Sequence, residues 1–200
     1  MTNQDIKDQI LALAKKRGAL QFGEFTLSSG ISSSYYFDGR LLTLDPEGAY
    51  LVGRALLPQV HLWEGQAIGG PTLGADPIVG TVVLTSYLEG NPIRGFLVRK
   101  EQKEHGTGRM IEGPLLTGRD QTCRVVIVDD TCSTGGSLIM AIKAVEQEGC
   151  TVVGVAVILD RHQGGSEWLF NHGYQFFPRL EADARGNIIP SMSDDAVPGV

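Results

Sequence analysis

Two adjacent acids followed by small polar residues form the stretch of this sequence best suited to chemistry. Asp129 and Asp130 follow an apolar run at residues 125–128, and residues 131–137 read TCSTGGS. Carboxylates at such a point can accept hydrogen bonds from sugar hydroxyls, hold Mg²⁺ through water, or stabilise positive charge that develops on a ribose ring. The two acids are therefore candidates for binding a sugar and for catalysis on it.

The residues after the acids suit a phosphate. An apolar stripe of Leu138, Ile142 and Val145 predicts that a helix follows, so the segment joins a strand to a helix start. Backbone N–H groups and the helix dipole favour an anion at such a junction, and Gly135 and Gly136 allow close approach. The patterns G-x-x-x-x-G-K-[ST] and G-x-G-x-x-G do not occur here, so this is a different kind of phosphate loop.

A ribose phosphate reconciles the acids with the phosphate loop. Carboxylates repel a phosphate, so the acids and the loop must meet different groups of one ligand. A ribose phosphate offers hydroxyls to the acids and a phosphate to the loop. The alternative is an ordinary strand–turn–helix corner in which Asp130 caps the helix. The combination of acids and glycines favours the ligand site.

A second polar stretch carries a cluster of cations. Its cationic residues are Arg99, Lys100, Lys103 and His105. A solvated charged loop is one interpretation of such a cluster. The other is a closing lid, because cations would neutralise an anionic leaving group, Gly106 and Gly108 would permit movement, and closure would exclude water. Together with the acid pair, the stretch predicts a lid.

The elements that must position these residues alternate between strands and helices. Strands are predicted at residues 66–70, 95–99, 124–129, 152–159 and, more weakly, 174–177. Their apolar runs do not alternate with polar residues, which is typical of strands covered on both faces, and intervening helices predict an open, mostly parallel sheet. Ligands of such sheets bind beyond the carboxyl ends of the strands. The sequence places its polar clusters there.

Helix starts and a small N-terminal unit complete the predicted architecture. Asp45 and Asp76 each precede a proline and are predicted to be the N-caps of helices that run to about Leu57 and Leu88. Residues 19–44 contain short β-prone pieces among glycines and serines, which predicts a small antiparallel unit outside the main sheet. We call residues 19–44 the hood.

Composition limits the class of protein. The 200 residues are 42% hydrophobic and 20% charged, which predicts one globular domain over residues 1–200, hood included. A net charge of −6 without a basic run argues against nucleic acid or a membrane as partner. No apolar run approaches the ~18 residues of a membrane span, and the start lacks a secretory signal, so we predict a cytoplasmic protein. The cysteines lack metal-ligand spacing and are predicted to be free thiols: Cys123, Cys132 and Cys150.

The Asp-Asp loop resembles the phosphoribosyl-pyrophosphate (PRPP) signature of type I phosphoribosyltransferases, in which an apolar run, Asp-Asp, a small-polar turn, glycine and a helix follow one another. The resemblance implies an α/β fold with a five-stranded parallel core flanked by helices and a hood. It also implies transfer of phosphoribose to a base nitrogen with loss of pyrophosphate. The implied cofactor is Mg²⁺, held mainly by PRPP and water near Asp129 and Asp130.

Two further stretches resemble orotate phosphoribosyltransferases. The pattern R-K-x-x-K-x-H-G at residues 99–106 is similar to that family's mobile loop, and FGEFTLSSG and YYFDGR are similar to its hood. The resemblance covers residues 22 to about 161. It implies that orotate and PRPP give orotidine 5′-monophosphate and pyrophosphate, a step of pyrimidine biosynthesis. It also implies a homodimer in which the lid of one subunit covers the ribose loop of the other.

The resemblance also implies roles for individual residues. The pyrophosphate ligands would be Arg99, Lys100, Lys103 and His105. The ribose 5-phosphate site would comprise Asp129, Asp130, Thr131, Cys132, Ser133, Thr134, Gly135, Gly136 and Ser137. Catalysis would depend on Lys100, Lys103, His105, Asp129 and Asp130. Orotate would meet Tyr36 and Phe37 on its ring, Ser133 nearby, and Arg161 at its carboxylate. His105 would donate a proton to pyrophosphate or act electrostatically, and the alternative for Arg161 is a surface arginine that ends a strand.

The chain departs from the family pattern at two positions. Ser28 and Gly74 stand where much of the family has lysine, which removes two expected ligands. Two other functions remain open on the sequence: a type I transferase for a purine or uracil, and a PRPP-sensing regulator that does not catalyse. A regulator would not need the lid at residues 99–105, so the lid favours catalysis.

Overall fold

The computed structural model describes residues 3–26, 32–101, 110–115 and 123–192. The helices are α1 (Asn3–Lys16), α2 (Arg40–Thr43), α3 (Pro46–Leu62), α4 (Ala75–Leu88), α5 (Gly136–Gln147) and α6 (Gly165–Asn171). The strands are β1 (Leu20–Thr26), β2 (Ser32–Phe37), β3 (Ala67–Pro71), β4 (Arg94–Val98), β5 (Ile111–Glu112), β6 (Arg124–Cys132), β7 (Thr151–Asp160), β8 (Phe176–Ala182) and β9 (Ile188–Pro190).

The main sheet is mostly parallel, as predicted. Within the described residues it has the strand order β5-β4-β3-β6-β7-β8-β9. The five inner strands are parallel to one another, and the short strands β5 and β9 are antiparallel to their neighbours. The predicted α/β class with a five-stranded parallel core is therefore confirmed, and the sheet gains one short antiparallel strand at each edge. That residues 1–200 form a single domain remains a prediction.

The apolar runs lie in strands that are covered on both faces. In β6 the side chains of Val126 and Val128 enter one hydrophobic cluster with residues of α1, α3 and α4, whereas Val125 and Ile127 enter a second cluster with residues of α5. Successive side chains of a strand point to opposite faces, so a strand between two layers needs apolar residues at every position. This explains the absence of polar alternation.

Strand β6 is longer than predicted and contains the acid pair. It ends at Cys132 rather than at residue 129, because it pairs with β7 through Thr131 opposite Leu159 and Cys132 opposite Asp160. Asp129 and Asp130 therefore lie within the paired part of β6, two to three residues before its end. Backbone hydrogen bonds on this strand hold them in place.

The two predicted Asp-Pro caps have different outcomes. Asp45 caps α3, since its side chain accepts hydrogen bonds from the backbone N–H groups of Glu47 and Gly48. The helix continues past the predicted end at residue 57 to Leu62 because Val60 is buried in the core. The prediction for Asp76 is wrong. Helix α4 begins at Ala75, which is fully buried and draws the helix start towards the sheet, so Asp76 lies inside the first turn.

The hood contains a two-stranded antiparallel sheet, β1 with β2, separate from the main sheet. Alternation along β2 buries Tyr35 and Phe37 in the first hydrophobic cluster and leaves Tyr36 exposed on the other face. The hood is therefore attached to the sheet through the aromatic residues of β2. Ser28 lies outside the described residues.

Two further sequence predictions concern the thiols and membranes. Cys123, Cys132 and Cys150 are free and buried, which confirms the prediction of thiols. None of the helices in the described ranges has both the length and the apolar character that crossing a bilayer requires.

Candidate functional site

The carboxyl ends of β3, β6 and β7 open into a cavity of about 760 Å³ that the hood bounds on one side. The structure brings many of the predicted site residues together in its lining: Tyr36, Phe37, Arg99, Lys100, Asp129, Asp130, Thr131, Ser133, Ser137 and Arg161. They come from β2, from β6, from the residues that follow β4 and β7, and from the loop before α5 and its first turn. The site therefore lies where the parallel topology predicts, beyond the strand ends.

Several predicted residues do not line this cavity. Thr134, Gly135 and Gly136 are absent from its lining, and Cys132 is fully buried in the second hydrophobic cluster. Burial, with the nearby Asp160 carboxylate as a smaller cause, raises the pKa of the Cys132 thiol to about 12. The Cys132 side chain thus packs in the core and does not face the cavity. Lys103 and His105 lie outside the described residues.

The loop before α5 has the backbone of an anion site. Gly135 is the N-cap residue at φ +81°, a left-handed conformation that favours glycine, and no side chain caps the helix. Asp130 therefore does not serve as the cap. The loop is held from outside, because the N–H of Gly165 donates to the Ser133 carbonyl at 2.9 Å. Uncapped N–H groups at a helix N-terminus, beside the cavity-lining Ser137, suit a phosphate.

Asp129 is buried, and the half-buried Asp130 lies beside it. Asp129 is 8% exposed, and the backbone N–H of Asp130 donates to its Oδ1 at 2.9 Å. Burial, followed by the charge of Asp130, raises the pKa of Asp129 well above its usual value. Burial likewise raises the pKa of Asp130. A ligand that brings a cation or hydroxyl donors to these carboxylates would relieve this cost.

Two glycines leave the space that the acids occupy. A Cβ at Gly39 would lie 2.4 Å from the Cβ of Asp130, and a Cβ at Gly74 would lie 2.5 Å from Oδ1 of Asp129. Heavy atoms do not approach so closely, so a side chain at either position would force the acids or the adjoining backbone to shift. Gly74, a departure from the family pattern in sequence, thus has a packing role in this structure.

The hood also supplies an ion pair that sequence reasoning missed. Arg40 donates from Nε to Oδ1 of Asp38 at 2.9 Å and from Nη2 to Oδ2 at 3.0 Å, and both residues line the cavity. The hydrogen bonds from Arg40 lower the pKa of Asp38. The pattern D-x-R directly after the predicted ring-stacking residues was the signal for this pair. Arg40 adds a cation at the mouth of the site.

Arg161 reaches the cavity from the end of β7 and contacts the hood. Its Nε donates to Oη of Tyr35 at 3.1 Å, and its Nη2 donates to Oγ of Ser33 at 3.2 Å. The guanidinium carbon lies 4.8 Å from the centre of the Tyr35 ring. Arg161 is therefore a fixed part of the cavity wall rather than a surface arginine that merely ends a strand. Tyr35 and Ser33 were not predicted as site residues.

The two predicted ring-stacking residues differ in their environment. Tyr36 is 39% exposed and its ring lies 5.8 Å from that of Phe25, measured between centroids. Phe37 is 8% exposed and belongs to the first hydrophobic cluster. Both line the cavity, but Tyr36 has the more accessible ring.

The start of the predicted lid lies at the edge of the same cavity. Nη1 of Arg99 lies 3.4 Å from Oε1 of Glu112. The backbone N–H of Arg99 donates to the carbonyl of Met110 at 2.8 Å. Strands β4 and β5, which precede and follow the predicted lid in the sequence, are an antiparallel pair. Lys100 is exposed, and its charge partly lowers the pKa of Asp129, against the larger effect of burial.

The fold and the site define a phosphoribosyltransferase of the α/β type, and the model of the phosphoribosyl transferase domain family matches residues 83–174. The orotate phosphoribosyltransferase of Aquifex aeolicus is 41% identical over 173 residues, which cover 86% of this chain and 92% of the relative. That of Streptomyces coelicolor is 43% identical over 163 residues, 82% of this chain and 87% of the relative.

A solved structure gives the same result. The orotate phosphoribosyltransferase of Mycobacterium tuberculosis H37Rv in complex with PRPP aligns with a TM-score of 0.72 and 34% identity, covering 88% of this chain and 96% of the other. The chain belongs to the orotate phosphoribosyltransferase family. The predicted family, fold class and enzyme class are thereby confirmed, as is the predicted place in pyrimidine biosynthesis.

Proposed function

We propose that this cavity transfers the phosphoribosyl group of PRPP to orotate and releases pyrophosphate. One observation carries the proposal: the acid pair of β6 and Arg161, which directly follows the neighbouring β7, line a single cavity. Carboxylates suit the hydroxyls and developing charge of a ribose, whereas a guanidinium suits the planar carboxylate of orotate. The PRPP named with the Mycobacterium tuberculosis structure supports the same ligand here.

The ribose and its 5-phosphate are assigned to β6 and the loop that follows. Backbone N–H groups at the start of α5 bind the 5-phosphate, helped by the side chains of Thr131, Ser133 and Ser137 in the cavity lining. Asp129 and Asp130 accept hydrogen bonds from the ribose hydroxyls. As the bond to pyrophosphate breaks, positive charge develops on the ribose, and the nearby carboxylates stabilise it.

The pyrophosphate is assigned to the cations on the lid and hood. Arg99 and Lys100 lie at the cavity, and Arg40 joins them as a third cation. Lys103 and His105 belong to the same group by the sequence prediction. Positive charge here stabilises the leaving group, and His105 acts either as its proton donor or through its charge.

The base is assigned to the end of β7 and the hood. Orotate is already an anion with a nucleophilic nitrogen, so the protein chiefly positions it. Tyr36 stacks on the pyrimidine ring with Phe37 behind it, Ser133 lies nearby, and Arg161 receives the carboxylate. No covalent enzyme intermediate is required.

The acid pair fits Mg²⁺ as the cofactor. Magnesium is usually bound through one or two carboxylates together with substrate phosphates and water, rather than by a protein cage. The described residues contain no cluster of three or more acids, histidines or cysteines that could hold a metal by themselves. Asp129 and Asp130, whose pKa values burial raises, match the smaller donor set. When bound, the ion neutralises charge on the pyrophosphate, and the two carboxylates keep it near the ribose.

A panel of bases tests the proposed reaction. The purified enzyme, with PRPP and Mg²⁺, is assayed for pyrophosphate release with orotate, uracil, adenine, hypoxanthine and guanine. We expect turnover with orotate and with none of the other four bases. Turnover with a purine or uracil instead would indicate a different transferase, and binding of PRPP without turnover of any base would indicate a regulator.

The enzyme is assigned to the cytoplasm because its substrate PRPP carries several negative charges and does not cross bilayers unaided. Fractionation should find the enzyme activity with cytoplasmic markers. Activity that is enriched in the membrane or secreted fraction would contradict this assignment.

A homodimer accounts for apolar side chains on the outer surface of α3 and α4. These helices pack together, with Oγ1 of Thr81 donating to the carbonyl of Ala49 at 3.0 Å. They nevertheless expose several large hydrophobic side chains: Tyr50, Leu62, Leu84, Tyr87 and Leu88. Large apolar side chains left exposed on neighbouring helices are compatible with an interface. The dimer proposed from the sequence, with lids that cross between subunits, uses such a surface.

Mixing two inactive variants tests the crossed lids. One variant lacks the side chains of Lys100, Lys103 and His105, and the other lacks those of Asp129 and Asp130. Unfolded, mixed and refolded together, about half the dimers are heterodimers, and each contains one intact site if the lids cross. Activity should return to roughly a quarter of wild type. No recovery, with heterodimers detected by mass, would mean that each lid serves its own subunit.

A further inference from the structure

We propose that Ser33 and Tyr35 of the hood are positioning residues for Arg161 and thereby set the selectivity for a base that carries a carboxylate. The inference rests on the proposed function, in which Arg161 binds the orotate carboxylate. The hood would then do more than cover the site. It would determine which N–H groups of the guanidinium the base meets.

The hydrogen bonds of Arg161 leave a suitable pair of nitrogens for the base. A guanidinium has five N–H groups: one on Nε and two on each terminal nitrogen. Tyr35 takes the Nε group and Ser33 takes one on Nη2. Both groups on Nη1 and one on Nη2 have no partner among the described residues. Two adjacent nitrogens with available N–H groups are what a carboxylate needs for two parallel hydrogen bonds.

The two hydroxyls are themselves fixed. Ser33 donates its hydroxyl proton to the backbone carbonyl of Tyr35 at 2.7 Å, which leaves its oxygen lone pairs to accept from Arg161. Tyr35 is 5% exposed and packs in the first hydrophobic cluster, so its ring cannot change position without disturbing the core. The guanidinium lies over that ring. Arg161 is therefore held on one edge by two hydroxyls and on one face by an aromatic ring.

Fixing the guanidinium in advance should favour orotate selectively. An arginine free to choose among rotamers loses entropy when it binds a carboxylate, and a positioned arginine has already lost it. Uracil has no carboxylate and gains nothing from this arrangement. The PRPP site, built on the β6 backbone and its loop, does not depend on these two hydroxyls. Their removal should weaken orotate binding while sparing PRPP.

The test is a mutant cycle measured as KM for each substrate. Tyr35→Phe, Ser33→Ala and their combination are made in the wild type and in an Arg161→Ala background. We expect Arg161→Ala to raise the KM for orotate at least about thirtyfold, as for a lost charged hydrogen bond. Each hydroxyl variant should raise it about fivefold in the wild type and less than about twofold in the Arg161→Ala background. The KM for PRPP should change less than about twofold throughout.

Controls separate positioning from general damage to the hood. Tyr174→Phe removes a tyrosine hydroxyl that donates to Glu146 away from the cavity, and Ser32→Ala removes an exposed hydroxyl from the same strand as Ser33. Neither should change the KM for orotate. Ser33→Thr keeps a hydroxyl and should keep the wild-type KM. Thermal unfolding of Tyr35→Phe, which retains the ring, should stay within about 3 °C of wild type.

The outcomes distinguish the role of Arg161 in binding the base from the role of Ser33 and Tyr35 in positioning Arg161. An unchanged KM for orotate in Arg161→Ala would contradict the proposed role of Arg161 itself. A raised KM in Arg161→Ala with no effect of the hydroxyl variants would overturn only the positioning role. Equal effects of the hydroxyl variants on both substrates, or equal effects with and without Arg161, would show that Ser33 and Tyr35 act through hood packing, which also overturns it.

Discussion

The ribose end and the base end of the cavity are built by different means. Asp129 and Asp130 lie in a parallel strand of the main sheet, and Gly39 and Gly74 leave the space beside them. Arg161 is oriented by side-chain hydrogen bonds from the separate two-stranded sheet of the hood. Backbone pairing thus fixes the common part of the substrate, whereas adjustable side-chain contacts fix the part that distinguishes one base from another.

The two ends also differ in their cost to the fold. Burial and repulsion raise the pKa of both acids, so their charged forms destabilise the protein when no ligand is present. The charge of Arg161, in contrast, meets two acceptors and an aromatic face. The charged acids of the ribose end are therefore destabilised until a ligand binds, whereas Arg161 at the base end is already held in position.

The largest expected effect comes from removing the charges at the ribose end. Asp129→Asn with Asp130→Asn should lower kcat about a hundredfold, since the loss of roughly 3 kcal/mol of transition-state stabilisation has that effect. Steady-state kinetics with saturating orotate and PRPP measures it. The exposed Glu148→Gln serves as the control and should leave kcat unchanged. Near-normal turnover in the folded double variant would remove the catalytic role of the acids.

A smaller effect is expected where the two ends meet. Gly39→Ala places a Cβ against the Cβ of Asp130, which cannot swing aside as a flexible chain end would. The hood or β6 must shift, and we expect kcat/KM for both substrates to fall about tenfold, with a loss of about 1–3 kcal/mol in the free energy of unfolding.

Gly80→Ala is the matched control for this glycine variant. Gly80 lies in α4 with open space around its Cβ position in the single chain, so the substitution should stabilise the helix by up to about 1 kcal/mol, in contrast to the destabilisation expected of Gly39→Ala. Unchanged kinetics in Gly39→Ala would show that the acids tolerate displacement, contrary to a ribose end fixed by backbone.

The raised pKa values of Asp129 and Asp130 predict that the stability of the ligand-free protein depends on pH. The raised pKa of the acids means that the folded state binds protons more readily than the unfolded chain, so stability falls as pH rises through the raised pKa and the penalty is complete above it. Without ligand at pH 7.5, the double Asn variant should therefore exceed wild type by about 1 kcal/mol, or roughly 2–4 °C in Tm.

Thermal unfolding across pH measures this difference. The advantage of the double Asn variant should shrink as the pH falls through the raised pKa values, because the wild-type acids then take up protons. A variant that is less stable at pH 7.5, or a gain that does not vary with pH, would show that the acid pair is not strained.

The smallest effect is expected beneath the phosphate loop. The Cys132 side chain is buried away from the cavity, so Cys132→Ala should leave the KM for PRPP within about twofold of wild type. The free energy of unfolding should fall by about 1 kcal/mol from the lost packing. A large rise in the KM for PRPP would mean that the thiol itself, rather than the backbone of the loop, contacts the substrate.

The ribose end could be predicted from the sequence because its parts are adjacent in the chain. The apolar run, the acids and the glycine turn are consecutive, and local rules connect each to a strand, a ligand or a helix start. Arg161 was predicted through family resemblance, and its position at the end of β7 agrees with the structure.

The remaining features depend on contacts between distant segments. Tyr35 meets Arg161 across more than a hundred residues, and Gly39 meets Asp130 across a similar span. Spacing along the chain carries no record of such meetings. The failed cap at Asp76 has the same origin, because burial of Ala75 outweighed the local preference for an Asp-Pro start.

The pairing of β6 with β7 has an evolutionary consequence. The last pair of residues between β6 and β7 is Cys132 with Asp160. Arg161, which is assigned to the base, is the next residue after this pair. The ladder holds the end of β7 beside the end of β6, so that base recognition and the sugar chemistry lie on separate, neighbouring strands. A lineage could exchange the side chain at position 161 and its hood partners for another set without altering the sugar chemistry. The strand ladder thus allows new nucleobases to be accepted around an inherited reaction.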